Sequence, residues 1–372
     1  MTKIQKDNKN VAKFPNLRFP GFEGEWETRK LGEVCEINPK NGNLPQSFIY
    51  IDLESVENGR LMKEDVISID EAPSRAQRIL LRNDVLFQMV RPYQKNNLFF
   101  DKEGKYVAST GYAQIRTKQN SQFIFQYLHN QKFVDRVIER CTGTSYPAIN
   151  SADLGNIRID YPSLEEQEKI STFLSLVDKR IQTQNKIIEQ LETLIKGLCQ
   201  KLILNQVPNK KINNCVSSYS SSLTESDVID KNGIYPVYGA TGIIAFTENP
   251  QINEDAILII KDGSGVGRVQ YASDKFSVIG TLNYLTVKPD VNLKYIFFCL
   301  KYFNFEKYKV GSGIPHIYFK DYGETFIYCP PLEEQNKIES LLSSIDSKIN
   351  IETQYVKELK EQKTFLFQQM FV

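Results

Sequence analysis

A chain of 372 residues, 41% hydrophobic and 24% charged, is long enough for two globular domains. Each can bury its own core without disulfides or metal. Lys plus Arg (46) nearly cancel Asp plus Glu (45), so the chain is not globally basic. DNA binding is not excluded by that balance, because what matters is where the charge sits. The six cysteines (Cys35, Cys141, Cys199, Cys215, Cys299, Cys329) are scattered without a C-x-x-C pair, and the two histidines are His129 and His316. Structural zinc is therefore not expected, and isolated thiols suit a reducing, cytoplasmic compartment.

In chain order, residues 1–25 form an N-terminal segment. Its lysine-rich start, Met1 to Phe14, lacks the apolar run of a signal peptide. No stretch approaches the roughly 20 apolar residues that span a bilayer, so no membrane partner is expected. Residues 26–161 read as a first domain, with short strands at 48–51, 84–88 and 106–108 and a helix at 122–138. Residues 162–205 read as one long helix. Its apolar positions Ile170, Leu174, Val177, Ile181, Ile188, Leu191, Ile195, Leu198 and Leu202 are spaced by steps of four and three, and Gln184 fills the one missing beat. That is a coiled-coil stripe. Residues 206–328 read as a second domain with a leading linker, the polar stretch 217–222 as loop, strands at 256–260 and 284–287, and a helix from near Asn292. Residues 329–372 repeat the long helix, with Ile338, Leu342, Ile345, Ile349, Val356, Leu359, Leu366 and Met370 on the stripe and Glu352 and Lys363 interrupting it.

The chain is an internal duplication. LEEQEKISTFLSLVDKRI from Leu164 recurs as LEEQNKIESLLSSIDSKI from Leu332, at an offset of 168 residues. The same offset carries Gly143, Pro147, Ile149, Asp153, Gly155, Ile159 and Pro162 onto Gly311, Pro315, Ile317, Asp321, Gly323, Ile327 and Pro330. Shared glycines and prolines imply a shared backbone. Upstream the match fades, so the helices are close copies and the domains divergent ones. The expected class is α+β: two mixed α/β domains separated by two long helices. Each stripe must be buried, either on its own domain or against the other helix; the second arrangement would space the domains. From Leu164 to Asn205 six acidic residues face six basic ones. The outer helix faces are thus solvated or protein-contacting, not DNA-binding.

Sites of chemistry are scarce. There is no P-loop, and Asp262-Gly-Ser-Gly-Val-Gly267 lacks both the Lys-Ser/Thr ending and the dinucleotide spacing, so a turn is expected. No Asn/Asp-Pro-Pro-aromatic motif is present, and neither histidine has an evident triad. The domains do carry basic, aromatic and amide-rich loops. Arg75, Gln77, Arg78 and Arg82 precede the strand at 84–88, and Arg91, Tyr93, Gln94, Lys95, Asn96 and Asn97 follow it. Lys261, Ser264, Gly265, Arg268 and Gln270 occupy the corresponding place in the second domain. Arg and Lys can pair with guanine, Asn and Gln with adenine, and all can clamp phosphates; the alternative is a solvated surface loop. A second candidate loop precedes each long helix, with Thr144, Ser145 and Tyr146 in the first copy and Ser312 and His316 in the second. Its repetition could equally be structural.

With these residues in view, the chain resembles the specificity subunits of type I restriction-modification systems. The resemblance rests on the paired P-x-LEEQ-x-KI helices, Lys196-Gly-Leu-Cys-Gln-Lys-Leu-Ile203 and Phe365-Leu-Phe-Gln-Gln-Met-Phe371. It is joined by the opening Pro15-Asn-Leu-Arg-Phe-Pro-Gly-Phe-Glu-Gly-Glu-Trp26, by Tyr235-Pro-Val-Tyr-Gly-Ala-Thr-Gly242 and by Asn83-Asp-Val-Leu-Phe87. It covers essentially the whole chain, although the second copy lacks a counterpart of the 17–26 opening. The resemblance implies target-recognition domains that each read half of a bipartite, asymmetric double-stranded DNA site, with antiparallel helices setting the gap. It implies two methyltransferase subunits docked on the chain, with Glu165, Glu166, Gln167, Glu333, Glu334 and Gln335 as partner-contacting residues, and two restriction subunits. It also implies no catalysis and no cofactor in this chain; S-adenosylmethionine, ATP and magnesium would belong to the partners. A stand-alone DNA-modifying enzyme and a coiled-coil scaffold that does not touch DNA are the competing readings.

Overall fold

A computed structural model describes residues 14–57, 59–228 and 233–372; the lysine-rich start expected from the sequence lies mostly outside the described residues. The chain divides into two compact units, residues 1–183 with 356–372, and residues 184–355. The division falls within the long helices: each unit contains one of the two domains expected above and a part of both long helices.

In the first unit the strand Asp84–Gln88 is the central element. It is buried throughout, as a run of Val, Leu and Phe between two layers should be. Side chains alternate across it. Val85 and Phe87 enter one core with Phe123, Phe133 and Val137 of the helices Ser121–Tyr127 and Gln131–Ile138. Leu86 enters another with Leu98, Phe100, Tyr106 and Tyr112. The strand pairs antiparallel with Tyr112–Thr117 and Leu98–Phe100, and Cys35–Ile37 completes the sheet. A second sheet runs Val66–Ser68, Ser47–Ile51, Tyr106–Ser109, Ala76–Ile79, with one parallel pairing. The single helix expected over 122–138 is two helices. The first ends at Tyr127 with Leu128 as its cap, and Asn130 caps the second, its side chain accepting from the Lys132 amide at 2.9 Å.

The second unit repeats this plan. Ala256–Ile260 is buried throughout. Ile257 and Ile259 face Ile296 of the helix Leu293–Lys301, and Leu258 and Ile260 face Val237, Phe276 and Val278. Its antiparallel sheet runs Val216–Ser220, Leu282–Val287, Ala256–Ile260, Val269–Ala272. The polar stretch read as loop is thus corrected: residues 217–220 form an edge strand. Leu282–Val287 satisfies its backbone, and Tyr219 stacks on Tyr284 with ring centroids 5.1 Å apart.

The long helices span Leu164–Cys199, continuing through a wider turn over Gln200–Leu204, and Leu332–Met370. They pair antiparallel within each unit. In the first, Ile170 and Leu174 share a core with Met370 and Phe371, and Asp178 meets Lys363. In the second, Ile195 and Cys199 share a core with Ile338 and Leu342, and the amide of Gln184 donates to Glu352, whose carboxylate also meets Lys348. Gln184 and Glu352 are repeat-equivalent residues, the polar interruptions at the same beat of the two stripes, and each fills the other's gap. The helices also pack on the domain cores, so the two burial alternatives left open by the sequence hold together.

Candidate nucleic-acid interface

The two candidate loops of each domain, far apart in sequence, are stitched into one site by the backbone. In the first unit Val90 bridges Ala148, and the Arg91 amide donates to the Pro147 carbonyl at 2.8 Å. In the second, Asp262 bridges His316, and the Gly263 amide donates to the Pro315 carbonyl at 3.0 Å. The loop before each long helix closes in the same way, Thr142 with Ala148 and Val310 with His316. Gly143 and Gly311 start these turns at φ of 90° and 92°, a region that glycine enters freely. A Cβ on Gly311 would lie 2.6 Å from the Ile314 carbonyl oxygen. The repetition noted in the sequence therefore has a structural cause, and the frame it builds presents different side chains in the two units.

In the first unit Arg91 sits in the left-handed region at φ 53°. Its guanidinium carbon lies 4.2 Å from the centre of the Tyr146 ring, a cation–π contact. Tyr146 and Tyr93 are exposed, as are Thr144 and Ser145. The Arg91 Nε is buried and has no hydrogen-bond partner among the described residues. Lys95 is placed otherwise than the sequence suggested. Its ammonium donates inward to the His129 carbonyl at 3.1 Å and to Gln131 at 2.8 Å, and burial holds its pKa below the usual lysine value. Gln94 is partly engaged too, accepting from Gln88 at 2.8 Å, while Asn97 accepts from the Gln88 amide. Arg75 reaches the same edge through the turn that follows Tyr106–Ser109: the Thr110 amide donates to Arg75 and the Met89 amide to Gly111. Gln77 and Arg78 continue away along Ala76–Ile79, and Gln77 donates back to Ser74. Arg78 is half-buried, its pKa lowered by that burial.

In the second unit the glycine-rich segment is the turn joining Ala256–Ile260 to Val269–Ala272, closed by hydrogen bonds between Ile260 and both Gly267 and Arg268. Gly267, at φ 87°, lies so near Phe305 that a Cβ would stand 2.8 Å from it. Ser264, Arg268 and Ser312 are exposed; Lys261 and Gly265 are partly so. His316 is held by Asp262, Nδ1 to Oδ1 at 2.7 Å. Reading the loops for cations and amides passed over Asp262; the repeat offset of 168 does not carry 262 onto 90, and only the backbone bridges show the two positions to be equivalent.

The LEEQ residues divide. Gln167 donates to the Pro162 carbonyl and accepts from the Asn120 amide; Gln335 donates to Pro330 and accepts from Asn292. Each glutamine thereby ties the start of its long helix to the cap of a domain helix, and both are buried. Glu166 is buried too, receiving Nε and Nη2 of Arg18 at 2.7 Å each. Arg18 belongs to the opening that the second copy lacks. These three side chains are internal braces rather than the partner contacts the resemblance implied. Glu165, Glu333 and Glu334 remain at the surface.

The Type I restriction modification DNA specificity domain family matches residues 23–193 and 211–361. The chain belongs to that family. It is 23% identical over 405 aligned positions to the type I restriction enzyme MjaVIII specificity subunit of Methanocaldococcus jannaschii, covering 95% of this chain and 93% of that one. To the type I restriction enzyme HindI specificity subunit of Haemophilus influenzae it is 22% identical over 183, covering 47% of this chain and only 40% of that protein. The crystal structure of a type I restriction-modification system S subunit from M. genitalium shares the fold with a TM-score of 0.71 at 17% identity, covering 96% of this chain and 99% of that one. These relatives are named as specificity subunits, and the two matched segments coincide with the internal repeat. Among the described residues no helix is long and apolar enough to cross a membrane.

Proposed function

We propose that this specificity subunit reads a bipartite, asymmetric site in double-stranded DNA, one half with each unit. In this reading the stitched loops enter the major groove and the paired helices set the unread gap. The observation that carries the reading is the shared frame with different contents: Arg91 over Tyr146 in one unit, the Asp262–His316 pair with Lys261 and Arg268 nearby in the other. A constant backbone with variable side chains is what reading two different half-sites requires, since base edges are distinguished by the donors and acceptors presented to them. Half-site centres about one helical turn, roughly 10 bp, apart suit two modules entering from one face.

The exposed helix faces, with Glu165, Glu333 and Glu334 at their starts, are the proposed docking surface for two methyltransferase subunits, with two restriction subunits completing a cytoplasmic complex. S-adenosylmethionine, ATP and magnesium would be held by those partners. The test is gel retardation by the chain assembled with its methyltransferase subunit. A duplex carrying the methylated motif should be retarded at competitor concentrations that abolish retardation of a scrambled duplex. Equal retardation of both would overturn the reading in favour of a scaffold, and methyl transfer by the isolated chain would overturn it in favour of an enzyme.

A further inference from the structure

Resting on that reading, the second unit's loop site can be taken to the level of the group it recognises. The Asp262–His316 pair occupies the bridge positions that Val90 and Ala148 occupy in the first unit. The first unit makes the same stitch with two apolar side chains, so the frame does not need the pair. The imidazole is also seated. The backbone amide and carbonyl of His316 are both bonded to Val310, at 2.8 and 2.9 Å. The ring lies over Gly311, where a Cβ would come within 3.2 Å of Cδ2. About a third of each side chain remains accessible, 36% for His316 and 35% for Asp262.

Hydrogen-bond polarity follows from the contact. A carboxylate only accepts, so Nδ1 of a neutral His316 carries the proton and Nε2 presents its lone pair. Nε2 has no hydrogen-bond partner among the described residues, and the second Asp262 oxygen is another acceptor. Such a pair is wrong for phosphate, which offers acceptors and negative charge; Lys261 and Arg268 beside it suit that task. The donors that base edges offer in the major groove are the exocyclic amino groups, N6 of adenine and N4 of cytosine. We propose that Asp262 and His316 read one such amino group in the half-site bound by the second unit, with His316 Nε2 as the acceptor and Asp262 as the residue that fixes its tautomer.

The experiment uses the full chain assembled with its methyltransferase subunit. The half-site of the second unit is the half that changes when residues 213–328 are exchanged for those of a relative. Within that half, each adenine is replaced by purine and each cytosine by pyrimidin-2-one, deleting one amino group at a time, and affinities are measured for wild type, H316A, H316Q and D262N. At one position the deletion should weaken wild-type binding about tenfold, the scale of one hydrogen bond, and should weaken H316A no further. H316Q, whose amide oxygen also accepts, should keep part of the discrimination, and D262N should lower it. Whether purine or pyrimidin-2-one shows the coupling separates adenine from cytosine. If H316A fails to assemble, H316Q and D262N carry the same comparison. Equal losses for wild type and variants at every position would overturn the proposal, as would coupling only to 7-deazaguanine, which would mark a protonated, donating imidazole. A motif that changes in both halves, or in neither, when residues 213–328 are exchanged would instead overturn the functional reading on which this rests.

Discussion

Substituting Gln184 and Glu352 singly and together should give opposite results. Both side chains are buried in the helix seam, 5% and 8% exposed, and the glutamine amide is the donor that faces the carboxylate. Q184L alone leaves a buried carboxylate with Lys348 as its remaining partner, and E352L alone leaves a buried amide without its acceptor. An orphaned buried polar group costs about 1–3 kcal/mol, more when charged. The double variant removes both polar groups and completes the stripe. Replacing a buried polar pair by apolar groups of similar size is often neutral or stabilising, so it should fall within about 1 kcal/mol of wild type or above it. The coupling energy would then be roughly 2 kcal/mol or more in the double-mutant cycle. A chain of two units need not unfold in one step, so the assay is amide hydrogen exchange at the helix turns flanking the two positions. A double variant whose protection falls by the sum of the single losses would refute the reasoning.

Three further predictions concern the loops and the first unit. R91A should weaken DNA binding by about 1–3 kcal/mol and, if it meets a phosphate, reduce the salt slope by about one; K95A, whose ammonium points at His129 and Gln131, should leave the slope unchanged in a salt titration. G311A should cost at least about 1 kcal/mol, given its φ of 92° and a Cβ that would stand 2.6 Å from a carbonyl oxygen. It should relax recognition of one half-site while the other is methylated normally. Burial pushes the His129 pKa down to about 4 from 6.5, so the unfolded chain takes up a proton that the folded first unit refuses. Stability is therefore full above about pH 6.5 and falls as pH drops towards 4; His129 keeps some accessible surface, so a loss of about 2 kcal/mol is expected rather than the full linkage value. Trp26, the only tryptophan of the chain and buried in the first unit, reports it by fluorescence in urea, and H129F should flatten the pH dependence.

The parts of this structure that were legible in the sequence are those set by local spacing. The 3–4 stripes announced both long helices, and the run at 256–260 announced a strand, whose burial on both faces the structure added. The interruptions at Gln184 and Glu352 were visible as departures, but not as partners, because their meeting depends on antiparallel pairing that brings repeat-equivalent residues together. The loops at 91–97 and 142–147 were legible as candidates one by one; their union runs through backbone bonds between segments more than 50 residues apart. Direction was hidden as well. A lysine in a polar loop gives no sign that it turns inward, as Lys95 does, and a conspicuous LEEQ repeat does not say that Gln167 and Gln335 brace their own unit. The edge strand at 217–220 escaped notice because its backbone is satisfied by a neighbour some 65 residues away, and its serines carry no β signal of their own.

In the proposed function each unit reads its own half of the site. Methylation sequencing of a host whose residues 213–328 have been exchanged for those of another family member tests it most directly. The expected result is a motif with one half replaced, the other half unchanged and the gap between them preserved. A motif altered in both halves, or in neither, would contradict it.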